Sequence, residues 1–105
     1  MMNIDFEFEI LFTAPAVYDL KKIKTYLDGV DPSIFYTMME ILKKKMLVIE
    51  KEPFIASVFL VIRNKRYRRI IIKGYVFVYD VDENQQIIYI DRIFHRRENY
   101  YSKLF

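Results

Sequence analysis

The sequence predicts an α+β domain of order β-α-α-β-β-β, in which a helical hairpin packs on one face of a mostly antiparallel, twisted sheet. Three observations point to it. An alternating N-terminal run comes first, then two amphipathic stretches that each begin with a capping residue and a proline. Last comes a block of β-branched and aromatic runs split by turn signals. Strands grouped after helices, rather than alternating with them, belong to the α+β class.

Each element has its own physical signature. In "IDFEFEILF" the apolar Ile4, Phe6, Phe8 and Ile10 alternate with Asp5, Glu7 and Glu9, the period of two of a strand with one buried face. Thr13 then offers an N-cap, Pro15 falls in the first turn, and Val17, Leu20, Ile23 and Leu27 form a helical stripe. Gly29 is expected to close this helix in a left-handed conformation. Asp31 and Pro32 open a second helix whose stripe is Ile34, Met38, Ile41, Leu42 and Ile49, and Pro53 ends it. The few residues between the two helices imply an antiparallel hairpin.

The rest reads as strands. "YRRIIIKGYVFVYDVDENQQIIYIDRIF" holds three runs, broken at Lys73-Gly74 and at "DENQ", the two turns of a meander. In the middle run Tyr75, Phe77, Tyr79 and Val81 share one face, and Val76, Val78 and Asp80 the other. The apolar "ASVFLVI" (56–62) precedes this block. It is either an additional strand at a sheet edge or a surface that a partner covers, and the second reading is preferred here.

Composition narrows the class. A chain of 105 residues with 53% hydrophobic and 30% charged residues, 2 glycines and 3 prolines describes one ordered domain over 1–105. With no cysteine and one histidine, thiolate catalysis and a zinc site are not expected, and no cofactor is implied. The N-terminus "MMNIDFEFEI" lacks the pattern of a signal peptide, and no apolar run approaches the ~20 residues that span a bilayer, so a soluble cytoplasmic protein with no membrane partner is expected. Net charge is +3 but unevenly spread: residues 1–62 carry seven basic and nine acidic side chains, residues 63–105 ten and five. The basic C-terminal part favours a polyanion or an acidic protein surface as partner.

The order of elements carries a resemblance. "YRR" opens one strand, "GYVFVYDVDE" spans the next hairpin and "IYIDRIFHRRENY" closes the sheet, and in this order they resemble the RelE/ParE superfamily of bacterial type II toxins over nearly the whole chain. "APAVYDLKKIKTYL" is similar to the first helix of the ParE branch, and "HRR" resembles its closing H-x-R pattern.

The resemblance implies a growth-inhibiting, plasmid-stabilising type of toxin, neutralised in a hetero-oligomer by a cognate antitoxin. ParE-like members poison DNA gyrase and are not enzymes in that role. RelE-like members cut messenger RNA on the ribosome, which needs a base for the ribose 2′-OH, cations for the developing charge and an acid for the leaving oxygen. For that chemistry the resemblance offers His95, Arg68, Arg96 and Tyr100, with Arg66, Arg69, Arg92 and Arg97 as a basic surface.

If the sheet closes as in the family, these sets are expected to meet on one concave face. Val76 stands where RelE-like nucleases commonly have a basic residue after the strand's tyrosine, which shifts the balance to ParE. A degenerate toxin retaining antitoxin binding alone is the further alternative. Each basic residue also has a plainer role. His95 at a strand end suits a structural hydrogen bond as well as acid–base work, and "RNKRYRR" (63–69) suits a solvated strand.

Overall fold

Two caps set the helical hairpin. In the computed structural model, which describes residues 7–98, Thr13 Oγ1 accepts the Ala16 N–H and precedes α1 (Ala14–Asp28). Asp31 Oδ1 likewise accepts the Ser33 N–H at 3.0 Å before α2 (Pro32–Lys51). A side-chain acceptor at the N-cap satisfies one of the donors that the first helical turn leaves open.

Between the helices the chain does not turn left-handed. Gly29 has φ −86°, contrary to the expectation from its identity. The Gly29 and Val30 N–H groups bond three residues back to Tyr26 and Leu27, and the Asp31 N–H bonds to Leu27 O. Helix α1 therefore tightens at its end and passes straight into the next N-cap, so no left-handed residue is required.

Five strands form one sheet in the order β1-β5-β4-β3-β2. They are β1 (Glu9–Phe12), β2 (Val58–Ile62), β3 (Lys65–Ile72), β4 (Tyr75–Asp82) and β5 (Ile87–His95). The β1–β5 pair is parallel and the rest are antiparallel. The sheet has one strand more than the β-α-α-β-β-β reading, because "ASVFLVI" contributes β2 at the edge. Glu7 and Phe8 precede β1, while Ile4 and Phe6 of the alternating run lie outside the described residues.

Tight hairpins fix the register. Arg63 and Asn64 join β2 to β3 with φ 51° and 68°, and Lys73 and Gly74 join β3 to β4 with φ 53° and 82°. Two central residues with positive φ match the right-handed twist of the flanking strands. Gly74→Ala is expected to destabilise by about 1–2 kcal/mol, since an L side chain is strained at that φ. A denaturation midpoint for the variant unchanged from that of the parent chain would contradict it.

The core lies between the hairpin and one sheet face. Ile70 and Ile72 of β3, Tyr75, Phe77 and Tyr79 of β4, and Ile88, Ile90 and Ile93 of β5 pack with Ala16, Ile23, Leu27, Phe35, Met38, Leu42 and Ile49 from the helices. The stripe on α1 runs through Ala16 and Asp19 rather than Val17, which is exposed. On the other face Val76, Val78 and Phe94 form a smaller buried cluster flanked by Phe59 and Tyr67.

A bulge interrupts β5. Val78 pairs with Arg92 but Tyr79 with Ile90, so Asp91 is the extra residue. Inserting one residue lets Ile88, Ile90 and Ile93 all face the helices, which strict alternation forbids.

Candidate functional site

The basic residues divide along β3 by the alternation of the strand. Ile70 and Ile72 point into the core, so Arg68 and Arg66 take the helix side while Tyr67 and Arg69 take the open face. The Arg68 guanidinium donates to the carbonyls of Phe54 (3.2 Å) and Ala56 and lies 5.1 Å over the Phe54 ring. It holds the link between α2 and β2. The Tyr79 hydroxyl, buried beneath it, donates to Pro53 O at 3.0 Å in the same link, and burial raises the Tyr79 pKa. Arg69 lies 5.0 Å over the Phe59 ring on the open face, and Arg66 is exposed.

Arg92 closes a buried corner. Its Nε and Nη2 donate to Asp19 Oδ2 (2.7 Å) and Oδ1 (2.9 Å), and the Ile93 N–H donates to Asp19 Oδ2 at 2.9 Å. Asp19 is 6% exposed. It thus caps β5 beyond the end of β1, where the strand edge has no neighbouring strand among the described residues, and Thr13 Oγ1 donates to Asp91 O just before it. The hydrogen bond from Asp19 holds the Arg92 pKa above its ordinary value.

His95 ends β5 in a turn. Its N–H donates to Glu98 Oε1 (3.0 Å), its ring Nδ1 accepts the Arg97 N–H (3.2 Å), and the Glu98 N–H returns to His95 O (2.8 Å). The ring stands edge-on to Tyr75 at 5.3 Å. Arg96 and Arg97 are exposed, and the Arg96 N–H bonds to Gly74 O. Lys22, Tyr26, Tyr75, His95, Arg97 and Glu98 line a shallow groove of about 450 Å³ there.

Arg69 and Arg92 flank the same residue, Val78, but Arg68 and His95 do not meet. Arg68 pairs with Tyr79 and His95 with Tyr75, four residues apart along β4, or about 13 Å at the rise of a strand. Arg66 and Arg68 line a cleft of about 640 Å³ at the far end with Lys65, Asp80, Asp82 and Glu83, a lining of both signs. Tyr100 lies outside the described residues.

Asp80, which strand alternation places on the open face, is joined there by Asp91, and neither these two nor Asp19 was singled out as a buried carboxyl from the sequence. Asp80 is 7% exposed. Asp91 has its pKa raised to about 8, first by burial and then by the hydrogen bond and charge of Asp80, against the opposing pull of Lys65. Lys65 Nζ lies 4.0 Å from Asp80 Oδ2. The signals for these residues are an aspartate on an apolar helical stripe (Asp19) and an Ile spacing that slips from two to three (Ile88, Ile90, Ile93).

Comparisons with known proteins address the whole chain. The family described as "ParE toxin of type II toxin-antitoxin system, parDE" matches residues 10–100. A search of curated protein sequences finds no match. Among solved structures, the chromosomal ParDE toxin–antitoxin system of P. aeruginosa is similar at TM-score 0.63 and 15% identity, covering 87% of this chain and 98% of that one. The isolated RelE toxin of E. coli is similar at 0.60 and 20% identity, covering 91% and 93%. The RelBE2 toxin–antitoxin complex of Mycobacterium tuberculosis is similar at 0.58 and 21% identity, covering 86% and 99%. At these identities the solved structures establish the fold, and they come from both branches. The family match spans most of the sequence, and by it the chain belongs to the ParE toxin family of type II toxin–antitoxin systems, within the RelE/ParE superfamily.

Proposed function

We propose that this toxin inhibits growth in the bacterial cytoplasm by poisoning DNA gyrase through protein contact, and that a cognate antitoxin silences it in a hetero-oligomer. The observation that carries the reading is the fate of the candidate nuclease residues. Arg68 and Arg92 are engaged by main-chain carbonyls and by Asp19, and Arg68 sits four residues along β4 from His95. His95 Nδ1 is occupied by the turn that follows β5. Val76 is buried among apolar side chains where a nuclease would present a cation to substrate. A ribonuclease needs its base, acid and cations within hydrogen-bonding reach of one phosphate.

The antitoxin reading draws on the solved ParDE and RelBE2 systems, each of which pairs a toxin with an antitoxin. On this chain β2 is one of the two edge strands among the described residues, and Phe54, Ile55 and Val61 beside and along it are exposed. An edge of this kind, with unpaired main-chain groups and apolar flanks, suits strand addition by a partner.

The test is expression in bacteria without antitoxin, with primer extension on a translated message. Growth arrest that survives His95→Ala and Arg96→Ala, with no new A-site stops, is expected. Ribosome-dependent stops that vanish in those variants would overturn the reading in favour of messenger-RNA cleavage, and unchanged growth would leave antitoxin binding as the sole activity.

A further inference from the structure

On the open face, β4 and β5 bring two carboxyl groups together at the bulge. Asp80 Oδ1 and Asp91 Oδ2 are both buried, and neither has a hydrogen-bond donor among the described residues. The bulge sets Asp91 of β5 diagonally beside Asp80 of β4, whose in-register partner is Tyr89, and Asp80 is a cause of the raised Asp91 pKa, second to burial. Two ionised carboxylates are both acceptors and cannot satisfy one another. One proton between them turns one carboxyl into a donor for the other.

The charges around the pair do not remove the need for that proton. From β3 the pair is faced by Lys65, 4.0 Å from Asp80 and itself 60% exposed, and by Tyr67. From the pair's own strands come Tyr89, in register with Asp80, and Asp82, whose Oδ1 accepts the Gln85 N–H. Arg92, next in sequence, is turned to Asp19 on α1. The helices pack on the opposite face. Arg66, Arg68 and Glu83 share the cleft onto which Asp80 opens, but Lys65 is the cation paired with the carboxyls, and one solvated lysine 4.0 Å from Asp80 does not neutralise two carboxylates.

We propose that Asp80 and Asp91 share one proton and act as a pH-sensitive latch across the β4–β5 bulge. When the proton leaves, like charges oppose the pairing of the two strands at the point where the bulge already interrupts it. The same event adds a negative charge to the open face between Arg69 and the cleft at Arg66.

The sign follows from linkage. Asp91 has its folded-state pKa raised from 3.8 to about 8, so the folded chain keeps a proton that the unfolded chain releases. The stabilisation is present at low pH and is lost as pH rises through that interval, with the unfolding constant increasing about tenfold per pH unit for one proton.

The experiment measures urea unfolding from pH 5 to 9 for the full chain, Asp91→Asn and Asp80→Asn, alongside carbon-13 titration of the carboxyl carbons in the unsubstituted chain. One carboxyl is expected to titrate near pH 8, and Asp91→Asn is expected to lose the extra tenfold-per-unit slope. Both carboxyls titrating below pH 5, or slopes for Asp91→Asn that run parallel to the unsubstituted chain, would overturn the latch. The titration decides the matter even if a variant fails to fold. Neither readout depends on the target of the toxin.

Discussion

Asp19→Ala is expected to cost about 3–5 kcal/mol, enough to bring a chain of this size close to unfolding. The carboxylate does three jobs at once. It receives two donors from Arg92, takes the Ile93 N–H beyond the end of β1, and ties α1 to β5. Removal leaves a half-buried guanidinium without this partner and a buried main-chain donor unsatisfied. Arg92→Ala is expected to cost less, because the Ile93 N–H still has its acceptor. Urea denaturation of both single variants and the double variant measures the coupling. A loss below about 1 kcal/mol for Asp19→Ala would show that the corner is solvated and that α1 is held by its apolar stripe alone.

Tyr79→Ala is expected to cost about 3–5 kcal/mol, the range for removing a fully buried aromatic ring. Tyr79 has no exposed surface and lies under the link from α2 to β2, with its hydroxyl on Pro53 O. Tyr79→Phe separates the two contributions. Keeping the ring but losing the donor is expected to cost about 1 kcal/mol. Equal losses in Ala and Phe variants would mean that the hydroxyl, not the ring, anchors the link. Since Arg68 bonds to Phe54 and Ala56 of the same link, Arg68→Ala combined with Tyr79→Phe tests whether the two anchors are coupled.

Much of the fold was legible because local chemistry and global packing agree. Thr13 and Asp31 cap the helices they were expected to cap. Lys73-Gly74 turns where it was expected to. The alternation of Tyr75, Phe77 and Tyr79 against Val76, Val78 and Asp80 divides the two sheet faces. The strand β2 was harder to read, since the turn that joins it to β3 is Arg63-Asn64. Asn tolerates positive φ, but Arg carries no turn signature, so the hairpin was hidden inside a basic run. Gly29 misled for the opposite reason: a residue that permits a left-handed turn does not compel one when the next cap lies two residues on.

The candidate site was less legible than the fold. Sequence spacing gives a residue's neighbours along the strand but not which end of the sheet it reaches. Arg68 and His95 looked convergent only through family topology, and the register of β3 and β5 on β4 puts them apart. The burial of Asp19, Asp80 and Asp91 went unread because an acidic residue in an amphipathic pattern is ordinarily a solvated one, even where, as for Asp80, its face of the strand was assigned. Burial appears only once the bulge and the helix position are known. Basic charge was visible from the sequence, while the partners that engage Arg68 and Arg92 within the chain were not.

The most direct measurement of the gyrase reading uses purified chain, bacterial DNA gyrase, relaxed plasmid and ATP. Supercoiling is followed on agarose, and covalent cleavage complexes are trapped with detergent and protease. Loss of supercoiling with accumulation of linear, protein-linked DNA, relieved by an excess of the antitoxin, is the predicted result. Full supercoiling and no cleavage from a preparation that arrests growth would contradict the account and move the target to the ribosome.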